Sequence, residues 1–136
     1  RTDTLATNPE FGKAFAGAWY EAMATMTAND AQTAEMVGVM ASAMGTDVTG
    51  LKAQLDATYF FTEPATALEF MLADSTAEIW DLVRTFSFDN GLFGQGATGV
   101  DDIGIAVNAG TTLGDPENVM LRIDPSFVAA AQAGEL

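Results

Sequence analysis

The segment that follows Asn8-Pro9 carries apolar side chains at spacings of three and four residues. Asn is favoured at a helix N-cap, and Pro is tolerated at the first helical position because its missing N–H would have no partner there. The apolar positions are Phe11, Phe15, Ala18, Trp19, Ala22, Met23 and Met26. This period predicts an amphipathic helix from Pro9 to about Thr27 with one buried face.

Two more helices are predicted directly after it. Asn29 with Gln32 forms a capping-box pattern, and the apolar period that follows ends at Gly45, a residue suited to the position after a helix. Thr46 or Asp47 is then expected to cap a shorter helix. The first half of the chain is therefore predicted to be a helical array.

An aromatic run at 58–61 is expected to be extended and to lead into a short helix that starts at Pro64. Ser75 and Glu78 form a second capping-box pattern, which predicts a helix that begins at Ser75 and ends near Gly91. Its apolar stripe consists of Ile79, Trp80, Leu82, Val83 and Phe86. Because large aromatic side chains dominate core packing, we expect Trp80 or Trp19 to be largely buried.

The last third of the chain changes character. Residues 103–107 and 119–123 are strand candidates, separated by turn-rich Asn108-Ala109-Gly110 and Gly114-Asp115-Pro116. They predict a small antiparallel β pair, followed by a short helix that starts after Asp124-Pro125. The fold class is thus predicted to be mainly α with a small antiparallel β pair.

Charge and composition exclude several classes of function. Nineteen carboxylates face five Lys and Arg residues, for a net charge of −14, so the surface repels nucleic acid. His and Cys are both absent, which removes the usual nucleophiles, bases and soft-metal ligands. We therefore expect no enzyme activity, no metal and no cofactor. No apolar run approaches the ~20 residues of a membrane helix, so direct membrane insertion is not expected.

Two motifs have plain structural interpretations. Residues 94–99 match G-x-G-x-x-G, but a predicted helix precedes them and a strand candidate follows, the reverse of the order in nucleotide-binding folds. They are expected to form a flexible connection. The acidic groups Asp101-Asp102 and Asp115 with Glu117 lack the spacing of a calcium loop, and solvation of the surface is the expected role.

Residues 19–21 leave a choice open. Trp19 belongs to the apolar stripe, whereas Tyr20 and Glu21 lie off it, because adjacent helical residues point about 100° apart. A hydroxyl beside a carboxylate suits a small polar or cationic solute, and a half-buried Tyr on a helix is also ordinary. The seven Met residues likewise fit core packing better than an adaptable partner surface.

The order of these features resembles a known family. Leu5 and residues 8–11, 18–21 and 45–47 resemble periplasmic substrate-binding proteins of the nitrate, sulfonate and taurine ABC transporter group. The subgroup associated with urea carboxylase is the one most resembled by residues 103–106, 112–115 and 121–124 and by the most specific part of the resemblance, the run Val83-Arg84-Thr85-Phe86-Ser87-Phe88-Asp89-Asn90-Gly91-Leu92. The resemblance spans essentially the whole chain.

The resemblance implies a two-lobed α/β periplasmic binding protein of type II, of which residues 1–136 form a carboxy-terminal portion belonging mostly to the first lobe. The implied partners are a membrane permease and a small solute: a urea-like or guanidine-like compound, nitrate, a sulfonate or taurine. Trp19, Glu21 and Tyr59 are the candidate ligand-binding residues, and the implied location is periplasmic. The alternative is an independent acidic helical module for protein interaction.

Overall fold

A computed structural model describes residues 1–107 and 110–136, so the predicted turn at Asn108-Ala109 lies outside the described residues. Its helices α1 to α7 span Thr2–Thr7, Pro9–Thr27, Ala31–Ala43, Val48–Asp56, Pro64–Leu72, Asp74–Asp89 and Ser126–Ala133. Strands β1 to β3 span Gly104–Val107, Thr111–Leu113 and Val119–Arg122, and a short 3₁₀ turn covers Val100–Asp102. The mainly helical prediction is confirmed. The chain divides into two compact units, residues 1–67 with 127–136 and residues 68–126.

Helix α2 begins as predicted, but its buried face differs from the predicted one. The Asn8 side chain accepts a hydrogen bond from the backbone N–H of Phe11, 3.3 Å away. Gly12 and Met23 are buried, whereas Trp19 is 40% exposed. A Cβ atom at Gly12 would overlap the Phe127 ring of α7, so α2 contacts α7 at a position that has no side chain.

The prediction that Trp19 or Trp80 is largely buried fails for Trp19, which is exposed, but not for Trp80, most of which is covered. Apolar period identifies the helix but not the depth to which each side chain is covered.

The first unit has its compact core between α3 and α4. Val37, Ala41 and Leu51 are buried together, with Met40 and Leu55 packed against them. Leu51 is almost completely inaccessible to solvent. The predicted helical array therefore has an apolar core of aliphatic side chains.

Helix α3 starts one residue later than the predicted capping box. Asp30, rather than Asn29, accepts from the backbone N–H of Thr33 at 2.9 Å, and the Thr33 hydroxyl accepts in return from the Asp30 N–H at 3.2 Å. Asn29 has a positive φ of 55°, a conformation that Asn tolerates better than most residues. The predicted box at Asn29 and Gln32 is wrong because Asn29 forms the turn before the cap.

The junction between α3 and α4 matches its prediction. Gly45 has a φ of 68°, and the N–H of Thr46 donates to the carbonyl of Ala41 at 3.0 Å. These features form a Schellman ending, in which Gly avoids the strain of a Cβ atom. Asp47 then caps α4 by accepting from the N–H of Gly50 at 2.7 Å.

Helix α6 begins earlier than Ser75. Its N-cap is Ala73, which makes no side-chain capping bond, and Ser75 already lies inside the helix. The fully buried Thr76 donates its hydroxyl proton to the carbonyl of Phe70 at the end of α5. This bond joins the two helices, and the predicted cap at Ser75 is wrong. The predicted end is confirmed, because Gly91 has a φ of 70° and Leu92 donates to the carbonyl of Ser87 at 2.9 Å.

The sheet corrects the predicted strand pairing. Its order is β2-β1-β3, with β1 antiparallel to β2 and parallel to β3. The two predicted strands are β1 and β3, so their predicted antiparallel pairing is wrong. Residues 111–113, for which no strand is predicted from the sequence, form the antiparallel partner. Because the chain reverses between β1 and β2 and again before β3, the first and third strands run in the same direction.

Close packing of two backbone segments lets β3 lie beside β1. The N–H of Gly104 donates to the carbonyl of Asn118 at 2.8 Å. A Cβ atom at Gly104 would overlap the carbonyl oxygen of Asp115. Glycine is therefore required where β1 begins.

Candidate functional site

Trp19 is held by the segment that connects α4 and α5. Its indole Nε1–H donates to the carbonyl of Phe61 at 3.3 Å, and its ring centroid lies 6.4 Å from that of Phe60. The bond fixes the orientation of the indole while leaving one side of it in solvent. Trp19 is therefore an ordered and accessible aromatic surface.

This indole lines an apolar groove of about 520 Å³ in the first unit. Its other walls include Leu5, Phe11, Phe15, Phe61 and Phe127. Tyr20 also lines the groove, and partial burial raises the pKa of its phenol. Besides Arg1, which pairs with Asp3 at 3.3 Å, and the Tyr20 hydroxyl, the lining offers few hydrogen-bonding groups for a small polar solute such as urea or nitrate.

Glu21 lies in a different groove, of about 550 Å³, between α2 and α3. Glu35, Thr25 and Gln32 line the same groove, and the rest of its lining is apolar: Ala18, Ala22, Met36, Val39 and Met40. Glu21 and Glu35 are both solvent-exposed. The polar side chains here are mainly hydrogen-bond acceptors with two negative charges, so the groove favours ligands that donate several N–H groups.

Tyr59 is strongly exposed, with 77% of its surface accessible. Its ring packs edge-on against Phe61 with the centroids 5.1 Å apart. Trp19 and Tyr59 thus share one contact residue, Phe61, but Glu21 lies in the other groove. The structure does not bring the three predicted residues into one site.

Arg84 is the principal feature that the sequence analysis missed. This buried guanidinium on α6 donates to Asp81 at 2.7 Å and to Asp101 at 2.6 Å. It also reaches the carbonyl of Val100 at 3.3 Å, while its Nε–H has no hydrogen-bond partner within residues 1–107 and 110–136. Burial acts to lower the pKa of Arg84, but the hydrogen bonds and charges of the two aspartates outweigh it and raise the pKa.

One feature of the sequence could have indicated that Arg84 is buried. Arg84 lies four positions after Trp80, so the two side chains share one face of the helix, and Trp80 belongs to the predicted packed face. Its ion pairs neutralise the guanidinium inside the second unit. The arrangement joins α6 to the 3₁₀ turn and has a structural role.

The two acidic groups, before β1 and between β2 and β3, are also more than solvated surface. The Asp102 carboxylate accepts from the backbone N–H groups of Thr98 and Gly99, at 2.5 and 3.2 Å. These bonds lower the pKa of Asp102. Asp115 similarly accepts from the N–H of Glu117 at 2.8 Å. The expected role of surface solvation is therefore incomplete, because these carboxylates order the loops.

The glycine-rich segment 94–99 connects α6 to the 3₁₀ turn and β1, as expected from its context. Within residues 1–107 and 110–136, no cluster of three or more acidic side chains has the arrangement of a metal site. None of the helices in those ranges has the length and apolarity needed to cross a membrane. Comparison with known proteins finds no match to this chain among protein-family models, curated proteins or solved structures.

Proposed function

We propose that this chain is the carboxy-terminal portion of an extracytoplasmic solute-binding component of an ABC importer, and that it contributes one wall of the solute site. The support from the sequence is the resemblance described above, centred on residues 83–92. The observation that carries the proposal is the acceptor-rich groove beside Glu21. In this proposal the protein is periplasmic and delivers its solute to a membrane permease.

The negative charge of the groove beside Glu21 restricts the class of solute that it can bind. Glu21 and Glu35 carry negative charge, and Gln32 and Thr25 add neutral acceptors. A guanidinium or urea group presents several N–H donors in one plane, which suits paired carboxylate oxygens. Nitrate and sulfonates would be repelled by the same carboxylates. Among the solutes that the resemblance implies, we therefore favour the urea-like and guanidine-like compounds.

The exposure of both carboxylates also argues that the site is incomplete in residues 1–136. Two-lobed binding proteins enclose a solute by hinge closure, and affinity depends on polar groups from both sides. A single open wall leaves the solute largely hydrated. We expect residues 1–136 alone to bind the solute weakly and the complete gene product to bind it tightly.

The test is a thermal-shift and calorimetry series on the complete gene product with guanidinium, urea, nitrate and taurine. A true ligand at 100 times its Kd stabilises the protein by about 2.7 kcal/mol. Glu21→Gln should weaken binding of the guanidinium compound at least tenfold. Glu10→Gln is the matched control, because Glu10 lies on the same helix, pairs with Lys13 at 3.7 Å and does not line the groove.

Preferential binding of nitrate or taurine would contradict the proposed solute class, and equal losses of affinity from Glu21→Gln and Glu10→Gln would contradict the proposed site.

The upstream coding sequence tests the wider proposal. A signal peptide followed by the rest of a two-lobed protein supports it. A start codon immediately before Arg1 would instead favour an independent helical interaction module, the second candidate, which the exposed apolar side chains on α6 also favour.

A further inference from the structure

Helix α6 packs through its more polar face. Thr76 and Arg84 are its buried residues, and Arg84 joins it to the 3₁₀ turn through Asp101. The opposite face carries four apolar side chains at positions i, i+3, i+4 and i+7. These residues, named here the α6 stripe, are Ile79, Leu82, Val83 and Phe86. Their spacing places them on one side of two helical turns, about 10 Å long.

The α6 stripe is solvent-exposed along its whole length. Leu82 is 71% exposed and Phe86 63%, and the other two members are each more than 40% exposed. Scattered exposed apolar residues are ordinary, whereas a contiguous stripe at helical spacing is typical of a surface that another element covers. The stripe is therefore a candidate docking surface.

Acidic side chains border this surface on one edge. Glu78 lies one turn before Leu82, and Asp89 lies one turn after Phe86 and is exposed. The one basic residue of α6 is Arg84, whose charge is already paired inside the unit. The border is therefore acidic without a compensating exposed cation on this helix.

We propose that the α6 stripe binds an amphipathic helix of a partner protein that presents an apolar face bordered by Lys or Arg. The apolar contacts would bury the stripe, and the basic border would pair with Glu78 and Asp89. Charge argues against a second copy of this chain as the occupant, since each copy carries a net charge of −14 and the same acidic border. The proposal concerns a surface in the second unit and is independent of solute binding beside Glu21.

The probe is a synthetic 18-residue Leu/Lys peptide with all Leu residues on one helical face, labelled for fluorescence anisotropy and titrated with the complete gene product and, separately, with residues 1–136. A peptide of the same composition with Leu distributed around the helix controls for nonspecific attraction to the acidic protein. An amphipathic Leu/Glu peptide isolates the contribution of charge. The Leu/Lys amphipathic peptide should bind at least tenfold more tightly than either control.

Substitutions then locate the surface. Leu82→Gln and Phe86→Gln should each weaken binding of the Leu/Lys amphipathic peptide about tenfold or more, as expected for central apolar contacts. Met44→Gln is the matched control, because Met44 is 58% exposed at the end of α3 and should leave the affinity within twofold. Glu78→Gln should reduce the salt dependence of binding, whereas Glu69→Gln on α5 should not. Circular dichroism establishes that each variant is folded.

Four results would overturn the proposal. Equal affinity for the redistributed and the amphipathic peptide would reduce the effect to attraction by the net charge. Full affinity of Leu82→Gln and Phe86→Gln would place the contact elsewhere. A dimer in sedimentation that Leu82→Gln dissociates would make a second copy the occupant. Peptide binding to residues 1–136 but not to the complete gene product would make another part of that product the occupant.

Discussion

Arg84 illustrates what a buried charge requires at the scale of a residue. Its two terminal nitrogens reach two carboxylates on different segments, Asp81 on α6 and Asp101 in the 3₁₀ turn. A guanidinium can donate in two directions at once from a planar group, whereas an ammonium is a single point charge. The carboxylates themselves remain half or more exposed, so most of the desolvation falls on the arginine.

We predict that Arg84→Ala lowers the free energy of unfolding by about 1–3 kcal/mol. This value is below the ~3–5 kcal/mol typical of breaking a fully buried pair, because Asp81 and Asp101 can be rehydrated once the guanidinium is gone. Chemical denaturation followed by circular dichroism measures it. Arg122→Ala serves as the control, since Arg122 is exposed and should change stability by less than ~0.5 kcal/mol. Equal effects of the two substitutions would show that burial of Arg84 contributes nothing.

At the scale of elements, helix boundaries depend on which side chain reaches the first free N–H groups. Asp30 and Asp47 do so, at 2.9 and 2.7 Å from their backbone donors. Helix α6 has no side-chain cap, because its first turn is fixed through Thr76 and the end of α5. A capping pattern in sequence therefore competes with tertiary contacts that start the helix elsewhere.

This difference gives a paired prediction. Asp47→Ala should cost ~1 kcal/mol of stability, because the N–H of Gly50 would lose its partner at the start of α4. Ser75→Ala should change stability by less than ~0.5 kcal/mol, because Ser75 is exposed inside α6 and makes no capping bond. Thermal and urea denaturation of both variants provide the measurement. A loss at Ser75 that matches the loss at Asp47 would restore the capping box.

At the scale of the whole molecule, net charge opposes compaction. Nineteen carboxylates and five cations share a surface of about 8957 Å², for a net charge of −14. Self-repulsion of this size destabilises the folded chain at low ionic strength. Salt should relieve it, since the Debye length falls from about 30 Å at 0.01 M to about 8 Å at 0.15 M.

We predict that raising NaCl from 10 to 150 mM at neutral pH increases the melting temperature by several degrees, since ~1 kcal/mol corresponds to about 3–6 °C for a chain of this size. Differential scanning calorimetry is the measurement. KCl should act equally, because screening depends on ionic strength and not on a specific ion. A melting temperature that stays constant or falls with salt would show that the ion pairs of Arg84 outweigh the general repulsion.

The sequence by itself determined the helices with strong local signals. The Asn8-Pro9 start of α2, the Gly45 and Gly91 endings and the Asp47 cap all depend on backbone groups within a few residues, and the structure confirms them. The acidic surface was equally certain from composition. These features require no knowledge of distant contacts.

Only the tertiary structure decided which side chains are covered and which segments meet. The parallel pairing of β1 with β3 depends on a return of the chain that local patterns do not encode. Arg84 is buried while Leu82 and Phe86 are exposed, because the ion pair with Asp101 and the hydrogen bond to the Val100 carbonyl hold the Arg84 face of α6 against the 3₁₀ turn. The predicted residues Trp19 and Glu21, two positions apart on α2, face separate grooves. Helical geometry points the two side chains in different directions, and the packing of neighbouring segments creates a groove on each side of α2.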